Sequence, residues 1–261
     1  SKNRLGEIKR ILLNDSTTYD LPDCFQEEFK GYGGIHSKSS IKIQLQYDLL
    51  SGNFNCCEIQ QGATNDSKYL KVMDEYTQPG DLRLADLGYY KTEYLKSIDE
   101  KKGFFISKIH SNTVLYKELP RDRYNKKGKL IKGREFEKID TVKLIESLGE
   151  KETLELEDVI IGSKKNLKAR VMITKLSEEN QKKRREKHLS SVRRKRGTIN
   201  PRSTAWESVN VYITNMPQEM FTAGEIHEIY SLRWQIEIMF KIWKSIYEIN
   251  KVKKNENRKI Q

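Results

Sequence analysis

Cysteines are scarce in this chain, and long apolar runs are absent. Cys24, Cys56 and Cys57 are odd in number and two of them are adjacent, which fits neither a disulfide framework nor the usual zinc spacings. No apolar run approaches the roughly 18 to 20 residues needed to cross a bilayer. We therefore expect a reducing compartment, the cytoplasm, and no membrane partner. We also expect Cys56 and Cys57 to be buried in a strand.

The amino terminus lacks two common features. Residues 1–6, Ser-Lys-Asn-Arg-Leu-Gly, contain neither an initiator Met nor an apolar signal segment, so we expect a chain that begins partway into a longer protein. The 261 residues are 36% apolar and 33% charged. That is enough for one large domain or two modest ones with a real core.

Acidic residues are outnumbered. The chain has 49 Lys and Arg against 37 Asp and Glu, a formal net charge of +12. This excess favours polyanionic partners, nucleic acid first and an anionic membrane surface second. The segment from Lys182 to Arg196 holds nine Lys or Arg in fifteen positions. It is either a solvated face or a phosphate-binding helix or loop with salt-sensitive affinity.

The first 110 residues have the pattern of a mixed sheet. An apolar strand at 8–13 runs into the polar turn Asn14-Asp15-Ser16, and strands at 41–47 and 54–59 flank a tight turn at 51–53. These three strands predict an antiparallel meander. A helix over 66–76, a strand over 82–85 that ends at Asp86, a helix over 90–102 and a strand over 104–109 follow. This order predicts an α/β, ribonuclease-H-like mixed sheet, whose sites lie at the carboxyl ends of central strands.

The rest of the chain divides into two parts. Residues 111–221 contain short strand-like pieces separated by charged stretches, which we interpret as a strand-rich insertion subdomain that interrupts the sheet. Thr222 and Glu225 then form a capping box, followed by a helical pattern that runs unbroken to about Asn250. The expected domains are therefore 1–110 and 222–261, which form the core, and 111–221, the insertion.

Four polar residues share one face of the last predicted helix. Tyr230, Arg233, Glu237 and Lys244 span only about 60° at 100° per residue. They flank an apolar face, so Glu237 should be partly desolvated at its rim. A carboxylate there suits a metal, while Arg and Lys suit phosphate oxygens. The alternative is an exposed face with an ordinary i,i+4 pair worth about 0.2 to 0.5 kcal/mol.

These four residues also carry a resemblance. Their spacing resembles the Tyr-Arg-Glu-Lys signature of the bacterial insertion-sequence-four family of DDE transposases. Three further segments resemble family elements: Leu-Asn-Asp-Ser-Thr at 13–17, Ala-Asp-Leu-Gly-Tyr-Tyr at 85–90 and Thr-Asn-Met-Pro at 214–217. The resemblance implies a ribonuclease-H-like fold with an insertion between the second Asp and the Glu, which lie 151 positions apart here.

The resemblance assigns roles to the site residues. Asp15, Asp86 and Glu237 would be the catalytic residues and metal ligands, and a cluster of hard oxygens suits two Mg²⁺ or Mn²⁺ ions. Tyr230, Arg233 and Lys244 would contact DNA phosphates near the cleaved end. The implied reaction is end nicking of double-stranded DNA, a hairpin step and strand transfer. The implied assembly is a homodimer, acting at the bacterial nucleoid.

Several alternatives remain open at this point. Taken singly, Asp15 fits an ordinary turn and Asp86 fits a helix-entry residue. Trp206 is a candidate for stacking a flipped base, although a packed tryptophan is the commoner role. The chain could instead be a ribonuclease-H-like nuclease without strand transfer. It could also be a non-catalytic DNA-binding remnant, because family members carry an amino-terminal DNA-recognition region and a carboxyl-terminal region that this fragment lacks.

Overall fold

A ten-stranded mixed sheet organises the part of the chain that the structure describes. The structure is a computed structural model that describes residues 6–33, 37–119, 124, 126–129, 136–194 and 200–248. The strands are β1 (Arg10–Leu21), β2 (Ser39–Asp48), β3 (Phe54–Gln61), β4 (Asp81–Ala85), β5 (Phe104–Lys108), β6 (Leu115–Glu118), β7 (Phe136–Lys138), β8 (Thr153–Ile161), β9 (Leu167–Lys175) and β10 (Val209–Thr214). Their order across the sheet is β3-β2-β1-β4-β5-β10-β9-β8-β6-β7.

Seven α-helices accompany these strands in the described ranges. They are α1 (Leu70–Glu75), α2 (Thr92–Glu100), α3 (Thr141–Ser147), α4 (Glu178–Arg194), α5 (Pro201–Trp206), α6 (Ala223–Ser231) and α7 (Trp234–Ser245). Single 3₁₀ turns lie at Asp23–Phe25, Asp66–Lys68 and Leu87–Tyr89. None of the helices in these ranges has both the length and the apolar character that a bilayer span requires.

The predicted meander is confirmed, but its first strand is longer than predicted. β1, β2 and β3 pair antiparallel in sequence order. The prediction that β1 ends before Asp15 is wrong, because the strand continues to Leu21 and Asp15 pairs with Leu45 of β2. Asn-Asp-Ser favours a turn locally. Here the ladder to β2 satisfies the backbone instead, and Thr17, Tyr19 and Leu21 alternate inward.

The strands of the stretch predicted as an insertion continue the same sheet. β10 pairs antiparallel with β5, and β9, β8, β6 and β7 follow outward from it. The carboxamide of Asn215, just after β10, accepts a hydrogen bond from the Phe105 N–H at 3.0 Å and donates to the Gly103 carbonyl at 2.9 Å. The Thr214 hydroxyl donates to the Phe105 carbonyl at 2.6 Å. The Thr-Asn segment therefore locks β10 onto the start of β5.

Two apolar clusters cover the two faces of the sheet. Neighbouring strand residues point to opposite faces. Phe105 packs with Ile98 of α2 in one cluster, whereas the next residue, Ile106, packs with Ile236 of α7 in the other. The second cluster seats α6 and α7 against β1, β4 and β5, because Leu13, Leu82 and Leu84 also belong to it. This packing brings the last two helices to the ends of the central strands.

The last helix is not the single helix that its apolar pattern predicts. The Thr222–Glu225 capping box is present, but the helix divides into α6 and α7 at Leu232–Arg233. The Arg233 N–H bonds to the Tyr230 carbonyl, and the Ile236 N–H bonds to the Arg233 carbonyl, both three residues back. Leu232 and Arg233 keep right-handed helical dihedrals, so the joint is a tightened turn. α7 ends at Ser245, and the predicted end at Asn250 lies outside the described residues.

Two further predictions concern β3 and α4. Cys56 and Cys57 lie in a strand as predicted, but they are half-buried and exposed rather than buried, because β3 is an edge strand. All three cysteines are free thiols.

The basic run is helical where it is described: α4 covers 182–194 and has no buried residue. Residues 195 and 196 lie outside the described part.

Candidate active site

Asp15 and Asp86 are brought together by the pairing of β1 with β4. These strands are parallel neighbours, and Asn14 pairs with Ala85. Asp15 is the next residue of β1 and Asp86 is the first residue after β4, so the pairing brings them to neighbouring positions. Asp86 follows the last residue of β4 with an extended backbone and caps the Leu87–Tyr89 turn without a side-chain bond. Asp86 is exposed, whereas Asp15 keeps only 19% of its side chain exposed.

Glu237 is linked to Asp15 by the side chain of Arg233, which contacts both carboxylates. The guanidinium of Arg233 lies 2.5 Å from Glu237 Oε1 and 3.5 Å from Asp15 Oδ2. Ile236 and Phe240 anchor α7 in the core, and Glu237 stays 29% exposed at the rim, as the helical pattern predicts. The exposed face of the alternative is wrong for Tyr230 and Arg233, because both are buried, but its i,i+4 pair between Arg233 and Glu237 is present.

The pKa of Asp15 is shifted by its burial and by the charged groups around it. Burial raises the pKa of Asp15 from 3.8 to about 6. The Ser16 N–H and the Arg233 charge oppose this rise in pKa, while the charges of Asp86 and Glu237 add to it. The charges of Asp86 and Glu237 therefore both act on Asp15, and Arg233 offsets part of that repulsion.

The three acids do not yet form a shared ligand set. Across the described ranges, no three His, Cys, Asp or Glu side chains are placed to hold one metal ion. Arg233 bridges Asp15 and Glu237 instead. The donor chemistry nevertheless fits Mg²⁺ or Mn²⁺, which prefer carboxylate oxygens. No described group donates a hydrogen bond to the Asp86 carboxylate, which leaves its oxygens available.

Tyr230 ties α6 to the end of β4. Its hydroxyl donates to the Ala85 carbonyl at 3.1 Å, directly before Asp86. Its ring lies 5.0 Å from the Tyr212 ring and 5.5 Å from Lys108 Nζ. Burial raises the pKa of Tyr230. In this arrangement the hydroxyl is a donor that fixes the strand end beside the acids.

Lys244 lies apart from the three carboxylates. Its Nζ sits 5.1 Å above the ring of Tyr19, four residues along β1 from Asp15. Seven residues of α7 separate it from Glu237, an axial rise of about 10 Å. Lys244 and Arg233 therefore place two separate positive charges along β1, one near Tyr19 and one near Asp15.

Two contributors are missing from the sequence prediction. Lys108 ends β5, the strand next to β4, and burial lowers its pKa, with repulsion from Arg184 adding to the effect. Asp66 accepts hydrogen bonds from the Ser16 hydroxyl, Lys42 Nζ and Gln44 Nε2 at 2.9 to 3.0 Å, which fixes the residue next to Asp15. The only local signal for Lys108 is a Lys after the apolar run 104–106. Nothing local marks Asp66, because its partners are distant in sequence.

Trp206 is a packed residue at the end of α5. It is 9% exposed and belongs to one of the two apolar clusters. Its indole N–H has no hydrogen-bond partner among the described residues. Packing, the commoner of the two alternatives, accounts for its position.

Comparison with known proteins gives the class of the chain. Residues 6–261 match the family described as Transposase DDE domain, and the chain belongs to this family of enzymes acting on DNA. It is 51% identical, over 94% of its length, to "Transposase for insertion sequence element IS1151" of Clostridium perfringens. It is 34% identical over its whole length to "Transposase for insertion sequence element IS231F" of Bacillus thuringiensis subsp. israelensis. These matches cover 52% and 55% of the two relatives, so the chain spans about half the length of the curated relatives it matches.

Proposed function

We propose that this chain is the catalytic part of a bacterial insertion-sequence transposase that cuts DNA and joins it to a target with Asp15, Asp86 and Glu237. The observation that carries the proposal is the meeting of two adjacent strand residues with an acid of α7, which contacts Asp15 through Arg233. Membership in the DDE family supports it. The net charge of +12 suits a DNA partner.

The finer family and fold assignments belong to this proposal. The order β3-β2-β1-β4-β5, with an antiparallel meander and two parallel strands, supports a ribonuclease-H-like core in 1–110 and 222–261. Residues 111–221 would be the insertion. Tyr230, Arg233, Glu237 and Lys244 would form the Tyr-Arg-Glu-Lys signature of the insertion-sequence-four family.

Divalent metal would be held by the three acids. When bound, two Mg²⁺ or Mn²⁺ ions would activate a water or a 3′-hydroxyl and would stabilise the leaving oxygen of a displacement at phosphorus. Asp15 would bind a metal ion best as the carboxylate. Because the pKa of Asp15 is raised to about 6, this form predominates only above about pH 6. Arg233, released from Glu237, would donate to a phosphate oxygen, and a guanidinium suits that contact.

The DNA would run along the edge marked by these side chains. Arg233 and Lys244 would bind separate phosphates of double-stranded DNA, and Tyr230 would hold the end of β4 beside them. End nicking, a hairpin step and strand transfer complete the proposed cut-and-paste reaction. The full-length protein would act as a homodimer on DNA in the bacterial cytoplasm.

The test is nicking and joining by the protein with Mg²⁺ or Mn²⁺. The substrate is a supercoiled plasmid that carries both ends of the insertion sequence encoding the chain. We expect Glu237→Gln to reduce nicking by more than 100-fold, because it removes one negative oxygen ligand. Glu228→Gln is the matched control, since Glu228 is exposed on α6. Equal nicking by wild type and Glu237→Gln would end the catalytic assignment.

One observation favours a second candidate, a non-catalytic DNA-binding remnant. The acids of the described residues are not placed to share a metal. A remnant would bind the plasmid but nick it no faster with metal than with EDTA. A nuclease without strand transfer would nick but would leave no 3′-end joined to target DNA.

A further inference from the structure

A cavity of about 620 Å³ opens next to the residue that follows Asp86. It lies between the end of β5, β10 and the helices α4 and α5. Leu87, which follows Asp86, forms one wall, and Lys108 forms the next. The remaining wall carries Arg184 and Lys187 of α4. The cavity therefore begins where the candidate active site ends.

Lys108 is a half-buried cation without an ion pair in the described part of the chain. Its Nζ lies over the Tyr230 ring at 5.5 Å, and no described carboxylate lies within ion-pair distance. The charges of Asp86 and Glu237 act on Lys108 only from beyond that distance, and removing an ammonium from water without an anion in direct contact costs free energy. A ring face returns only about 0.5 to 2 kcal/mol. The position is therefore suited to an anion that arrives from outside the fold.

Arg184 is held in place to face the same cavity. One guanidinium nitrogen donates to the Val209 carbonyl at 2.9 Å and the other to the Asn210 side-chain oxygen at 2.6 Å. These acceptors are neutral, so the charge of Arg184 is fixed in position but not neutralised. The single acidic residue among the described residues that line the cavity, Glu207, lies 3.3 Å from the His188 ring nitrogen. The cavity wall keeps a positive excess.

We propose that this cavity binds a phosphodiester of the DNA strand that enters the active site, with Lys108 and Arg184 as the contacting cations. The inference rests on the proposed function, because it takes the strand to be bound at Asp15 and Asp86. An ammonium and a guanidinium that point into one space match the several oxygens of a phosphodiester. Lys187 at the exposed rim adds attraction for the approaching backbone.

The test is DNA binding in EDTA, where no chemistry occurs. Fluorescence anisotropy with a short labelled duplex, measured over a range of salt, gives Kd and its salt dependence. We expect Lys108→Met to weaken binding by about 3- to 10-fold and to lower the slope of log Kd against log salt by about one. Lys108→Arg should restore binding to within about 2-fold of wild type. Arg184→Met should behave like Lys108→Met.

Lys164→Met is the matched control. Lys164 is exposed in the turn between β8 and β9 and pairs with Glu93 at 2.6 Å, so its loss changes the net charge equally without touching the cavity. Duplexes with one neutral methylphosphonate, moved linkage by linkage, localise the contact. At one linkage the substitution should weaken binding by wild type but not by Lys108→Met.

The outcomes separate this inference from the proposed function. Equal effects of Lys108→Met and Lys164→Met, or no linkage at which wild type and Lys108→Met differ, would overturn the cavity assignment even if the enzyme nicks DNA. A Lys108-dependent linkage in a protein that never nicks DNA would support the cavity while the catalytic proposal fails. Thermal unfolding of each variant identifies any loss of binding that comes from loss of fold.

Discussion

Replacing Asp15 by Asn should stabilise the fold at neutral pH while abolishing DNA cleavage. The substitution keeps the shape of the side chain and an oxygen that can accept from the Ser16 N–H, now at 2.8 Å. It removes a negative charge that burial disfavours. The pKa of Asp15 is raised from 3.8 to about 6, which corresponds to about 3 kcal/mol against the ionised form.

The pH dependence of this effect has a definite sign. The folded state binds the Asp15 proton more tightly than the unfolded chain, so the fold loses stability as pH rises from 3.8 to about 6. Asn mimics the protonated acid and does not lose this stability. The variant should therefore gain about 1.5 kcal/mol over wild type at pH 5 and about 3 kcal/mol at pH 8.

Unfolding followed by circular dichroism in EDTA measures this difference. At pH 8 the midpoint temperature of Asp15→Asn should lie roughly 5 to 10 °C above that of wild type. Asp20→Asn is the control, because Asp20 is exposed on the same strand and should change little. A variant no more stable than wild type at pH 8, or an advantage that does not grow with pH, would refute the reasoning.

Two further perturbations test the surroundings of the site. Arg233→Gln leaves Asp15 and Glu237 without the cation between them, so the free energy of unfolding in EDTA should fall by about 3 kcal/mol. Added Mg²⁺ should then raise the unfolding midpoint of this variant more than that of wild type. Equal effects of Mg²⁺ on the two proteins would contradict this role of Arg233. Asn215→Ala removes the side-chain hydrogen bonds that join the end of β10 to β5, and it should lower the free energy of unfolding in urea by about 2 kcal/mol. Asn53→Ala, in an exposed turn, should not. Similar losses in both variants would contradict the structural role of Asn215.

Local patterns in the sequence were sufficient for most of the elements. Alternating apolar residues located β2, the apolar run 104–106 located β5, and the Thr222–Glu225 pair located the start of α6, because each depends on neighbours within a few positions. Asp86 was placed correctly at the end of β4 for the same reason. The end of β1 was not, because its continuation depends on a ladder with β2 that local turn preference does not contain.

The division of the last helix was also beyond local reasoning. The apolar repeat passes through Leu232 and Arg233 without interruption, so periodicity alone predicts one helix. The tightened turn lies where Arg233 is buried against Asp15, a partner 218 positions away. The Lys108 position depends in the same way on β5 lying beside β4.

Residue type and near neighbours in the chain account for the excess of positive charge, the order of most strands and helices, and the spacing of the acids and cations on α6 and α7. The packing of distant segments accounts for the position of Arg233 between Asp15 and Glu237, of Lys244 over Tyr19, and of Lys108 and Arg184 around one cavity. Charge pairing acts over a few ångströms in space, and packing sets which distant segments come that close.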